Sequence, residues 1–158
     1  MTPADLVEQL MAQTTVEGWI AHLHADAEYQ PLPGAPVLRG LDEIREWAER
    51  AAADPDRPEV LPVSVTESDH TAVVRGQLRF IRGTTEKRHS VLEVAAWVVT
   101  VSDGRLRRVE AFSSWSAAED SAGIVSDGSR RDRRLGRGFQ LMLRLPRPRR
   151  AVSDVLAA

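Results

Sequence analysis

RHSVLEVAAWVVTVSDGRLRRVEAFSSWSAAEDSAG, residues 88–123, decides the fold. Two β-rich runs flank Asp103-Gly104, a dipeptide suited to the positive φ angles of a two-residue hairpin turn. The first run, residues 91–101, is apolar except at Glu93 and Thr100. Such a run predicts a strand in mid-sheet with both faces covered. The second, residues 105–115, is mixed, and it leads into a short Ala-rich helical segment that ends at Gly123.

Working back from this hairpin, residues 71–82 alternate. Ala72, Val74, Leu78 and Phe80 fall on one face, and Arg75, Gln77 and Arg79 on the other. Residues 59–69 alternate too, with Leu61, Val63 and Val65 on one side, and predict a half-buried strand. Residues 83–87 form the turn between strands. Before them, Leu41, Ile44, Trp47, Ala48 and Ala51 make the apolar stripe of an amphipathic helix that the prolines near residue 58 end. Residues 4–24 carry helical spacing, interrupted at Thr14-Thr15, so two short helices are expected. Residues 26–31 read as a short extended segment and residues 32–36, LPGAP, as a turn. The order predicts an α+β domain over residues 1–125, in which the N-terminal helices cover one face of a mostly antiparallel sheet.

Charge divides the chain at the end of that domain. Residues 1–125 hold 12 basic and 20 acidic side chains, whereas residues 126–158 hold 9 Arg and 3 Asp. An acidic body argues against nucleic acid binding by the folded domain. The Arg-rich extension, 126–158, reads as flexible, with FQLMLRL (139–145) as a short amphipathic segment; it suits an acidic partner or an anionic surface, or is a solvated tail. The absence of Cys removes disulfides, thiolate metal sites and a Cys nucleophile. No run approaches the roughly 20 apolar residues of a membrane span, and the N-terminus lacks a signal-peptide pattern; a bacterial cytoplasm is the expected compartment.

Four stretches together resemble the SnoaL-like branch of the nuclear transport factor 2-like superfamily, cone-shaped α+β barrels. They are HLHADAEYQPLPG (22–34), RGLDEIREW (39–47), the AAWVV run (95–99) with DGRL (103–106), and AFSSWSAAEDSAGI (111–124). The resemblance implies a cone whose concave face lies under the helices, a homodimer joined through the outer sheet face, and a small hydrophobic ligand. Relatives include ketosteroid isomerases, limonene-type epoxide hydrolases, polyketide cyclases and non-catalytic binding proteins. The isomerase set is missing. Its general-base aspartate falls at Pro31, its oxyanion-hole tyrosine at about Val7, and no carboxylic acid stands among the apolar residues at the position in the run 91–101 that supplies the second donor. Of the hydrolase set, Arg75 matches the arginine, while Gln77 and Ala111 replace the two aspartates. Neither mechanism carries over.

The candidates that remain each have a structural alternative. If the cone interior lies on their side, Arg75 and Gln77, with Tyr29, would polarise a ligand oxygen; otherwise both arginines and the amide face solvent. Glu93, alone in an apolar run, or His22, near a helix end, would move a proton; equally, Glu93 pairs with an arginine at the rim and His22 is a surface residue. Trp19, Trp97, Ala111 and Trp115 are candidate pocket walls, although each tryptophan also reads as core. His22 and His24, two apart on a helix, cannot share a metal ion, and neither a metal nor a cofactor is expected. Three functions stay open: an isomerase, cyclase or hydrolase-type enzyme acting on a hydrophobic carbonyl or polyketide-like compound, a non-catalytic ligand-binding domain, and an interaction module that uses the basic tail.

Overall fold

The Asp103-Gly104 turn forms as expected, with φ of 52° and 70° at its two residues. It joins Arg88–Ser102 to Arg105–Phe112 in a computed structural model that describes residues 1–84, 86–124 and 132–134. In chain order the strands are β1 (Leu23–Tyr29), β2 (Leu38–Arg39), β3 (Glu59–Glu67), β4 (Thr71–Gly83), β5 (Arg88–Ser102), β6 (Arg105–Phe112) and β7 (Asp132–Arg134). They make one sheet of order β2-β1-β6-β5-β4-β3-β7. Only the β1–β6 pair is parallel. The segment FQLMLRL lies outside the described residues. Within the extension, residues 132–134 pair with Ser64, Val65 and Thr66 of β3.

Helices α1 (Pro3–Ala12), α2 (Val16–Ile20) and α3 (Gly40–Ala53) cover one face. The first is closed by a capping box between Thr2 and Asp5. Thr15 caps the second by accepting from the Gly18 amide, so the Thr14-Thr15 interruption is a true helix boundary. Leu6, Val7, Leu10 and Met11 of α1 and Trp19 of α2 pack with Val74, Leu78, Ala95, Trp97 and Val99. The inner face is therefore the apolar side of β4, with alternate residues of β5. No helix among the described residues is long and apolar enough to cross a membrane.

Three expectations need correction. Helical spacing was extended to residue 24, yet β1 begins at Leu23, so His24 is a strand residue and His22 lies in the turn before it. Leu61, Val63 and Val65 do not share a face: a bulge between Pro62 and Ser64 shifts the register, so that Val60 and Val65 both enter the core and Val63 is 43% exposed. Finally, β5 lies in mid-sheet, but only residues 95–99 are buried along its length. The fourth helix, α4 (Trp115–Ala122), packs on the outer face against Val73, Ala96 and Val98, and beyond its reach Leu92 and Val94 are 54% and 48% exposed.

Candidate ligand site

The deepest polar groups of the inner face are brought together by α2, β1 and α3. Tyr29 ends β1 opposite Leu38 and Val109, which turns its ring into the core at 1% exposure. Trp19 meets it edge-on, with ring centroids 5.1 Å apart, and Trp47 of α3 packs on it at 5.2 Å. Neither the Tyr29 hydroxyl nor the Trp19 Nε1 has a hydrogen-bond partner among the described residues, although both are buried. Leaving such a group unsatisfied costs about 1–3 kcal/mol, so two in one aromatic cluster call for a functional reading. Burial pushes the phenol of Tyr29 well above its usual range. Tyr29 is therefore a neutral hydroxyl at physiological pH, able to donate to a ligand oxygen, and the indole N–H can only donate.

Trp97 is also fully buried on the inner face, but its Nε1 donates to the Pro31 carbonyl at 3.0 Å. Pro31, expected at the position of the isomerases' base, supplies that backbone oxygen. Beside it, Gln30 bridges the loop to β6: its Nε2 donates to the Ala35 carbonyl at 2.9 Å and its Oε1 accepts from the Ala111 amide at 3.1 Å. Ala111 lies on the inner wall at 9% exposure. Gln30 was not singled out from sequence because an amide bonded to main chain leaves no periodic signal.

The structure does not bring the other candidates to this cluster. Arg75, Gln77 and Arg79 alternate with the core residues of β4, which points them to the outer face. There the Arg75 Nε donates to Glu119 of α4 at 2.6 Å, and its Nη1 donates to Ser64 and Thr66 at 3.2 and 2.8 Å. Arg79 pairs with Glu59. Arg75 therefore does not reach the helix-covered side, where the residues of β4 are apolar. Trp115 is likewise on the outer face, where its Nε1 donates to the Gly76 and Ala95 carbonyls, both at 3.1 Å. Glu93 is opposite Leu78 on the inner side, but it is exposed. His22 is half-buried in the turn between α2 and β1. Glu110 is on the outer face, opposite Val98 and paired with Arg108 at 2.9 Å.

The sequence matches the family model of the SnoaL-like domain over residues 4–109. No curated protein matches it. Among solved structures, it is similar to a protein from Sphaerobacter thermophilus at 23% identity, TM-score 0.52, covering 71% of this chain and 95% of that one. It is similar to TerC co-crystallised with polyporic acid at 17% identity, TM-score 0.57, covering 74% and 95%. A protein of ketosteroid isomerase-like fold from Catenulispora acidiphila, in complex with trimethylamine, is similar at 15% identity, TM-score 0.55, covering 80% and 98%. At these identities the likeness is one of fold.

Proposed function

The chain belongs to the SnoaL-like domain family, and from that premise we propose that its cone holds a small, mainly apolar molecule bearing a carbonyl or similar oxygen, as a polyketide-like compound does. The observation that carries this is the pair of buried donors without partners, the Tyr29 hydroxyl and the Trp19 N–H, within one aromatic cluster. Aromatic walls with a few fixed donors are the usual make-up of a small-molecule site. Two of the similar structures were obtained with a small organic molecule, in keeping with this reading.

Between catalysis and binding, the geometry favours binding. Proton transfer needs a titratable group within hydrogen-bond reach of the reacting atom. Arg75 and Gln77 face away from the cluster, and Glu93 is exposed. Tyr29, as a neutral donor, orients an oxygen. Native mass spectrometry of the protein purified from its own host tests the proposal. A retained apolar molecule that Tyr29→Phe releases supports it; the absence of any adduct, or equal retention by Tyr29→Phe and Trp19→Phe, would remove the cluster as a ligand site.

The outer face supports a second, independent part of the proposal, a homodimer. Leu92 and Val94, two apart on β5, stand exposed on that face, and exposed apolar side chains on an open sheet face suit an association surface.

A further inference from the structure

Within the aromatic cluster, Trp19 and Tyr29 are each 1% exposed, whereas Trp47 is half-buried. Trp47 packs on Tyr29, and it also lines a cleft of ≈ 230 Å³ beside the C-terminal half of α3, walled besides by Leu32, Ala51 and Pro58. The buried donors and this open volume therefore meet at one indole. From this arrangement we propose that the cleft is the mouth of the cone's ligand site and that Trp47 is its gate, turning into the cleft to admit a small, mainly apolar molecule to the Tyr29 and Trp19 donors. The gate presupposes that those two donors hold the ligand.

What tethers each indole decides which one is free to turn. Trp97 donates to the Pro31 carbonyl at 3.0 Å, and Trp115 to the Gly76 and Ala95 carbonyls at 3.1 Å, bonds that a rotation would break. Trp19 is enclosed on all sides. The Trp47 indole makes no hydrogen bond among the described residues. On a helix, χ1 wells near 180° and −60° are both open to a long side chain, so the ring can change place without moving the backbone of α3. Ala51, one turn further on, leaves the space that a larger side chain would fill. The other walls are held. Arg57 is only 7% exposed, and its Nη1 donates to the Ala51 and Ala52 carbonyls at 3.0 and 3.3 Å. Gln30 ties the loop that carries Leu32 to the Ala35 carbonyl and the Ala111 amide. The volume lies below the roughly 300–1,000 Å³ of common ligand pockets, which suits an entrance better than a site of its own.

Hydrogen exchange of the indole N–H groups in the ¹⁵N-labelled full-length chain, with no ligand added, tests the gate. The Trp19 N–H reports on the mouth, and the Trp97 N–H, bonded to Pro31 in the core, reports on global opening. In Trp47→Ala, exchange at Trp19 should rise by about tenfold or more relative to Trp97, since solvent then reaches it without unfolding. In Ala51→Leu, which fills the cleft and leaves Trp47 in place, exchange at Trp19 should slow by about threefold or more. A loss of stability alone accelerates both signals alike. Equal acceleration of the two in Trp47→Ala, or an unchanged Trp19 rate in either variant, would overturn the gate; if Trp47→Ala does not fold, Ala51→Leu decides. These rates are read on the protein without ligand, so their failure removes the gate alone, whereas retention of a ligand by the cone is read from Tyr29→Phe and Trp19→Phe.

Discussion

Tyr29 is the only tyrosine of the chain, so its ionisation can be observed without interference from another phenol. Burial raises its pKa, whereas in the unfolded chain it titrates near the ordinary value of about 10. Above that pH the unfolded state releases a proton that the native state keeps, so the native state binds more protons and its stability falls as pH rises. The contribution is present in full below about pH 10 and is lost as pH climbs towards the raised native value. Phenolate absorbance should therefore stay absent in the native protein near pH 10.5 and appear together with unfolding; a reversible titration in the folded protein near pH 10 would contradict the burial. At the same scale, Arg75 and Glu119 form a largely buried pair, with side chains 12% and 17% exposed. Removing Glu119 takes the carboxylate from the Arg75 guanidinium, which keeps its bonds to the neutral Ser64 and Thr66 hydroxyls. Glu119→Ala should cost about 3 kcal/mol in urea denaturation, with the double variant Glu119→Ala/Arg75→Met costing less than the single one. Neither change should alter ligand retention by the cone, because the pair is on the outer face.

At the scale of elements, the β3–β4 ladder shows how local irregularity places side chains. Opposite Gly76 stands Pro62, at the edge of the bulge. A Cβ on Gly76 would stand 2.7 Å from the Leu61 carbonyl oxygen and 3.2 Å from the Pro62 Cα. The Gly76 carbonyl also accepts from Trp115, the first residue of α4. Close approach of two backbones and docking of a helix thus meet at one residue without a side chain. Gly76→Ala should destabilise by roughly 1–3 kcal/mol, read as a lower urea midpoint, and should also loosen α4, read as increased amide exchange in residues 115–122. A midpoint equal to that of the parent protein would show that the strands separate at no cost. Alternation alone placed Leu61, Val63 and Val65 on one face, and only the bulge reveals the shift. Likewise α4 and its Gly123 cap, at φ 63°, are legible from the Ala-rich segment and its glycine, whereas the face that α4 covers is not.

For the whole molecule, the uncovered part of the outer face is what remains to be matched. Leu92 and Val94 are exposed there, and Leu92→Lys/Val94→Lys should convert the proposed dimer to a monomer in light scattering coupled to size-exclusion chromatography. The substitutions are on exposed side chains, so the thermal transition of the monomer should remain cooperative. If the parent protein is itself monomeric at micromolar concentration, the dimer is wrong and the patch has another occupant.

What the sequence by itself determined is what neighbours along the chain determine. The hairpin at Asp103-Gly104 follows from backbone conformations that Asp and Gly adopt at low cost. The pair of N-terminal helices follows from Thr15, the amphipathic helix from the stripe through Ile44 and Ala48, and the two faces of β4 from strict alternation. Of the pocket walls expected from sequence, Trp19, Trp97 and Ala111 lie on the inner face with Tyr29, and Trp115 lies on the outer one. Tertiary structure alone decided which side of β4 is the interior. A guanidinium on an alternating strand reads the same whether it enters a pocket or, as with Arg75, is held by a helix folded over the outer face. It also decided that two donors, ten residues apart in the chain, would be buried together without partners among the described residues. Hydrogen-bond satisfaction is a property of three-dimensional surroundings, and no spacing in the sequence encodes it.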